Sequence, residues 1–226
     1  KQILLFSATM PKEVLKISKN YMNKPKKIEV DSKNEGAKDI EHNYYLVMNL
    51  KDKYQVLRRI CDMNPNIYGI VFCRTRRECK DISSKLMQDG YNADSLNGDL
   101  SQPQRDHVMN RFRKKQIHLL VATDVAARGI DVNDLSHIIN YNLPDENQIY
   151  IHRSGRTGRA GKKGISIIIG SVREKRKILS IQKTINKEIT KKEIPKGKDI
   201  CEVQLMNLID RIINSDVTSD IEQFIP

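Results

Sequence analysis

The sequence predicts an α/β protein: a mostly parallel central sheet with helices on both faces, and a helical extension at the C-terminal end. Three observations predict it. Ile70-Val71-Phe72 and Leu119-Leu120-Val121 are apolar throughout rather than alternating, as strands buried on both faces are. Short apolar runs of this kind alternate with segments of helical spacing, the pattern of a wound parallel sheet. Polar residues follow several of the runs, at the carboxyl ends of strands where ligands bind in such sheets.

The elements follow in order. Ile3–Phe6 reads as a strand and Pro11–Met22 as a helix, with Pro11 suited to a first turn because its missing N–H costs nothing there. Lys27–Val30 and Asn43–Val47 are further strands, separated by a polar loop over Asp31–Ile40. Leu50–Met63 is a helix, Tyr68–Cys73 a strand, and Thr75–Asp89 a helix that Gly90 would cap in the left-handed conformation. Ala93–Ser95 and His118–Ala122 are strands around a helix at Ser101–Lys114. A short helix at Asp124–Arg128, a strand at His137–Asn140, a helix at Glu146–Arg153, a strand at Ile165–Ile169 and a helix at Arg173–Asn186 complete the alternation. The lysine-rich stretch through Lys198, with Pro195 and Gly197, reads as a linker. Ile200, Val203, Leu205, Leu208, Ile209, Ile212 and Ile213 then fall mostly at helical spacing. That last helix packs on its own domain, makes a homodimer, or seats a further segment. Because the chain runs at once from Lys1 into a strand, it is expected to be a piece of something longer.

Composition narrows the partners. Forty Lys and Arg against 28 Asp and Glu give +12, a charge that steers a protein toward polyanions. Nucleic acid is the expected one, since no basic amphipathic helix with a bulky apolar face marks a membrane binder. Aromatic residues are 5 % with no tryptophan, so base stacking is not the expected mode. Four cysteines without a CxxC pair read as reduced thiols of a cytoplasmic protein, and no metal site is expected. No signal peptide or long apolar run appears.

Two segments carry the chemistry. His152–Arg159 places Arg153, Arg156 and Arg159 three apart with Gly155 and Gly158 between them. Guanidinium groups that close repel unless an anion sits among them, and phosphate matches their planar fork. Val121–Asp131 ends an apolar strand in Thr123 and Asp124 and then presents Arg128, Gly129 and Asp131. Thr123 and nearby N–H groups suit a phosphate, and Asp131, an acceptor, suits ribose hydroxyls. Asp124 reads equally as a helix cap. Gln102, Arg105 and Asp106 open a helix after Asn97-Gly98-Asp99. Arg105 there opposes the helix dipole, so it is either solvated or holds an anion. Ser7-Ala8-Thr9 alone reads as a turn.

In this order the segments resemble the C-terminal RecA-like half of a DEAD-box ATP-dependent RNA helicase. Ser7-Ala8-Thr9 is similar to motif III, Ile70–Thr75 to motif IV, Asn97–Arg105 to motif IVa, Val121–Asp131 to motif V and His152–Arg159 to motif VI, over about residues 1 to 190. Ile194-Pro195 and Asp199-Ile200-Cys201 resemble the bacterial cold-shock (DeaD/CsdA) branch. The resemblance implies a RecA-like fold, with residues 1–24 ending the N-terminal lobe and its linker, 25–190 forming the helicase C-terminal domain, and 191–226 a linker and helical extension. It implies that Arg156 and Arg159 are arginine fingers on ATP and that His152 couples the lobes. Asp131 and Gly129 would then lie at the nucleotide, and Thr75, Gly98, Gln102, Arg105, Thr123 and Arg128 would grip RNA sugar and phosphate. Contacts to the backbone give sequence-independent binding. The sequence departs from the family at Asn97, where histidine is common, and at Ser154, where Ile or Val is.

No Gly-x-x-x-x-Gly-Lys-Ser/Thr loop and no Asp-Glu-Ala-Asp occurs in these residues. The resemblance therefore places the triphosphate cradle and the Mg²⁺ site in an N-terminal lobe, and this fragment alone is expected to be inactive as an ATPase. Two other readings stand: an RNA-binding module without catalysis, and a DNA helicase of the same superfamily.

Overall fold

The computed structural model describes residues 3–6, 12–23, 25–28, 39–130, 132, 135–159 and 161–215. The chain divides into two compact units, Lys1–Lys33 and Asn34–Pro226. In the first, helix α1 spans Lys12–Tyr21. Ile3–Phe6 is not a strand: it joins no sheet among the described residues. An apolar run is only half of what a strand needs, because its N–H and C=O groups require a neighbour. The strand expected at Lys27–Val30 is likewise not formed at residues 27 and 28, and its last two residues lie outside the described ones.

In the second unit the strands are β1 (Ile40–Val47), β2 (Gly69–Phe72), β3 (Ala93–Leu96), β4 (Leu119–Ala122), β5 (His137–Asn140), β6 (Gly164–Ser171) and β7 (Thr190–Lys191). They form one sheet in the order β3-β4-β2-β5-β6-β1-β7, and every pairing is parallel. The helices are α2 (Lys53–Asp62), α3 (Arg76–Gln88), α4 (Gln102–Arg113), α5 (Asn147–Ser154), α6 (Lys175–Ile185) and α7 (Gly197–Ile213).

Helices cover both faces, as expected. On one face Val56, Leu57 and Ile60 of α2 and Ile82 and Leu86 of α3 bury Val71, Val121, Ile139 and Ile167. On the other, Val108, Met109 and Phe112 of α4 bury Ile70, Leu120 and Ile138. Ile168 faces the same way, since Ile138 pairs with Ser166 and side chains alternate along a strand. Tyr150 of α5 and Ile178, Ile181 and Ile185 of α6 cover it. Burying each such side chain contributes about 1.5–3 kcal/mol, which is why these strands read as unbroken apolar runs.

The end of α3 follows its sequence. Gly90 takes φ +88°, and the N–H groups of Gly90 and Tyr91 donate to the carbonyls of Met87 and Leu86 at 3.1 and 2.9 Å, closing the last turn. The helix expected at Asp124–Arg128 is instead a run of turns. Ala127 N donates to Thr123 O at 2.9 Å, but Arg128 and Ile130 reach back only three residues, and Gly129 at φ +72° ends the run. The two-residue edge strand β7 carried no alternating pattern long enough to read.

No residue of α7 is buried. It leans on α2 where Gln204 Nε2 donates to Asp62 O at 2.5 Å, while Leu205, Met206, Leu208, Ile212 and Ile213 stay exposed. Cys61, Cys73 and Cys79 are buried and Cys201 is exposed. Among the described residues no helix is long and apolar enough to cross a membrane.

Candidate functional site

Register sets the rim of the sheet. Phe72 lies beside Ala122 and Asn140, and Leu96 beside Ala122. The residues that follow, Cys73-Arg74-Thr75, Asn97-Gly98-Asp99, Thr123-Asp124 and Tyr141-Asn142, therefore share one end of a parallel sheet.

Arg153 organises this rim from below. It is 3 % exposed. Its Nε and Nη2 donate to the two carboxylate oxygens of Asp124 at 2.6 and 2.7 Å. Its Nη1 donates to Asn140 Oδ1 at 3.0 Å and to Asn142 O at 2.8 Å, and the guanidinium lies 4.8 Å from the Phe72 ring centroid. The sequence grouped Arg153 with its two neighbours as a phosphate ligand, and this is corrected: a bidentate carboxylate neutralises it, and its donors are spent inside the protein. Asp124 is correspondingly not a helix cap but the counterion of Arg153. Asn140, which follows Ile138-Ile139 at the end of its strand, was the sequence sign of a buried polar partner here.

With α5 pinned at Arg153, the turn 155–159 carries the remaining arginines. Thr157 Oγ1 donates to Leu135 O. Gly158 adopts φ +65°, and a Cβ there would come 2.5 Å from Ile40 Cγ1. Arg156 is half-buried and its Nη1 donates to Ile130 O at 2.9 Å. Arg159 is exposed with Nε donating to Gly155 O at 2.8 Å, and His152 is exposed. Ser154 is buried and its hydroxyl donates to Ile151 O at 3.2 Å. Asp131 and Ser7-Ala8-Thr9 lie outside the described residues.

The residues expected on RNA occupy the neighbouring loops. Thr75 caps α3, its Oγ1 accepting from Glu78 N at 3.1 Å. Gly98 faces the Arg76 guanidinium. Arg76 and Lys80 pair with Asp99 at 3.0 and 2.7 Å, and the Lys80 and then the Arg76 bonds hold that carboxyl below its ordinary range. Buried Asn97 accepts from Asp99 N at 3.0 Å, shaping the turn. Exposed Gln102 donates to Asp106 Oδ1 at 2.9 Å. Arg105 is half-buried, and its Nη2 donates to Ala126 O at 2.6 Å and Arg128 O at 3.5 Å. It thereby ties α4 to the turns that hold Thr123, which is buried, and Arg128, which is exposed.

Asn142 is the residue the sequence did not single out. Its Oδ1 accepts from Arg74 N at 2.9 Å and its Nδ2 donates to Glu78 Oε1 at 3.2 Å, while its carbonyl takes Arg153. One asparagine thus joins the Thr75 loop to the arginine segment. Among the described residues no group of three or more His, Cys, Asp or Glu could hold a metal ion.

Comparison with known proteins agrees with this geometry. The model of the helicase conserved C-terminal domain matches residues 52–161. A DEAD-box ATP-dependent RNA helicase CshA of Bacillus cereus is 37 % identical over 214 residues, 95 % of this chain and 41 % of that protein. The chain thus spans about two fifths of the length of the curated relatives it matches. The E. coli DEAD-box protein SrmB, solved with the regulator RraA, is 33 % identical with a TM-score of 0.65, over 69 % of this chain and 91 % of that one. S. cerevisiae Dbp5 bound to RNA and ADP BeF3 is 31 % identical with a TM-score of 0.76, over 88 % of this chain and 54 % of that one.

Proposed function

We infer that this chain, which belongs to the DEAD-box family of RNA helicases and carries its C-terminal RecA-like domain, works as the second lobe of an ATP-dependent enzyme that opens RNA duplexes locally. Residues 1–24 end the first lobe and its linker, 25–190 are the working domain and 191–226 a linker and extension. Arg156 and Arg159 serve as the arginine fingers, His152 couples to the other lobe, and Asp131 and Gly129 meet the nucleotide. The observation that carries this reading is the Arg153–Asp124 clamp. It fixes the helix end from which His152 and Arg159 reach solvent, so an imidazole and a guanidinium can meet a partner lobe without reorganising.

ATP, when bound with Mg²⁺, would supply the phosphoanhydride bond that is broken. Arg156 and Arg159 fit its anionic end, whereas the described residues offer no carboxylate cluster for the metal, so the first lobe would hold it. Thr75, Gly98, Gln102, Arg105, Thr123 and Arg128 would take the RNA backbone; Thr75, Gly98, Gln102 and Arg128 are exposed, Arg105 is half-buried and Thr123 buried, and none is aromatic. The Dbp5 complex with RNA and ADP BeF3 supports both ligands. The setting is cytoplasmic.

The test is Arg159→Ala and Arg156→Ala in the complete protein. Turnover should fall about 10³- to 10⁵-fold, as for other arginine fingers, with RNA affinity unchanged. Parallel loss of RNA binding would make these residues RNA ligands instead. The present chain alone should hydrolyse no ATP, and adding the first lobe should restore RNA-stimulated turnover.

A further inference from the structure

Residues 172–198 hold ten Lys and Arg against three Glu, and so supply seven of the chain's twelve net positive charges in 27 residues. They lie on the turn before α6, on α6 and the turn after it, on β7 and the segment that follows it, and at the start of α7. β7 closes the sheet at the opposite edge from β3. Six strand spacings of about 4.8 Å put that edge roughly 29 Å from the loop after β3 that carries Gly98 and Gln102. Nothing in the proposed ATP or RNA machinery uses it.

The cations form one track. Arg176 and Lys183 lie seven apart on the exposed side of α6. Asn186 at φ +51° then turns the chain. Lys187 lies close enough to act on the buried His42. Lys192 reaches Glu41 at 3.5 Å while its N–H donates to Tyr44 O at 2.9 Å. Arg173, Lys175, Arg176, Lys183, Lys191 and Lys196 form no ion pair among the described residues. Lysines on an edge strand deter edge-to-edge pairing, which accounts for Lys191 and Lys192. It does not account for Lys175 and Arg176 in the first turn of α6, where the helix dipole disfavours cations; Lys177 beside them donates to Asp145 O at 2.6 Å.

We propose that the α6–β7 edge binds the sugar–phosphate backbone of RNA as a second track, separate from the motif-bearing rim. The proposal rests on the helicase reading above. Charge complementarity supplies the attraction. No Phe, Tyr or Trp occurs in residues 172–198, so phosphates and not bases are contacted. An anionic membrane fits less well, because α6 spends Ile178, Ile181 and Ile185 on the core and has no bulky apolar face to insert.

The experiment replaces Lys183, Lys187, Lys191 and Lys192 together by glutamine in the complete helicase. Oligouridylates of about 6 and about 30 nucleotides are titrated by fluorescence anisotropy over a range of KCl, lengths chosen around the span of one single-strand site. The long RNA should lose about tenfold in affinity, and its log–log salt slope should flatten by about 2 to 3, near 0.7 per lost phosphate contact. The short RNA and the ATPase it stimulates should not change. A fourfold Lys→Arg variant should behave as wild type, which separates lost charge from lost folding. An unchanged slope on long RNA, an equal loss on short RNA, or wild-type binding to phosphatidylserine vesicles in preference to long RNA would each overturn the proposal. A wild-type protein whose ATPase ignores short RNA would instead overturn the helicase reading.

Discussion

Substitution of Asp124 or Arg153 tests the clamp on which the site depends. Asp124→Ala leaves a guanidinium that cannot shed its proton in a place where its side chain is 3 % exposed. Two bonds of 2.6 and 2.7 Å vanish, and those to Asn140 and Asn142 remain. Removing one partner of a buried pair costs about 3–5 kcal/mol, and the remaining bonds keep the expected loss near 4. Arg153→Ala leaves Asp124 with its side chain 33 % exposed, so water can reach that charge. It strips the donor from Asn140 Oδ1, however, on a residue that is 0 % exposed. That adds about 1–3 kcal/mol, and the lost Phe72 contact about 0.5–1. We expect about 3 kcal/mol for it. The two losses should not add, and the coupling from a double-mutant cycle should exceed about 1.5 kcal/mol. Urea unfolding of this chain, with the slope unchanged, measures all three. A single substitution costing under about 1 kcal/mol, or a coupling near zero, would show that Arg153 does not pin α5.

Other outcomes follow from the same structure. Burial pushes both His42 and His137 down to about 4, with the Lys187 charge adding to it at His42 and Glu41 opposing it at His137. Folding thus favours their neutral forms. The stability they contribute is complete above the ordinary histidine pKa near 6.5 and is lost as pH falls from there toward 4, by roughly 3 kcal/mol each at the limit. Urea midpoints at about pH 7 and 5 should show the drop, and a His42→Asn variant that leaves the pH dependence unchanged would refute it for that residue. Gly158→Ala should cost about 2–3 kcal/mol, since it combines a left-handed φ with a clash on Ile40, whereas Gly90→Ala, at φ +88° with open space, should cost about 1. Equal costs would remove the packing argument for Gly158. Thr75→Ala should lose about 1 kcal/mol of capping and weaken RNA binding alike on all sequences; a loss confined to some sequences would contradict a backbone contact there.

Much was legible in the chain. The strands β2, β4, β5 and β6 and the helices α2, α3 and α4 each follow from a local pattern, because burial on two faces demands unbroken apolar runs and burial on one side demands helical spacing. The family was legible as well, since motif order and the spacing of Arg153, Arg156 and Arg159 are properties of sequence alone. What the sequence could not settle was which of three equivalent-looking arginines is structural. That depends on where Asp124, Asn140 and Phe72 fall in a sheet whose neighbouring strands are distant in sequence. Asn142 escaped notice for the same reason: its partners Arg74 and Glu78 are 68 and 64 residues away. The turn at 124–129 went the same way, because Arg105 holds its carbonyls from another element. Local chemistry marks most of the elements; whether a run finds a strand neighbour, and which roles the charges and hydrogen bonds buried between elements take, is decided only when the parallel register brings distant residues together, since removing either partner of a buried ion pair is strongly destabilising.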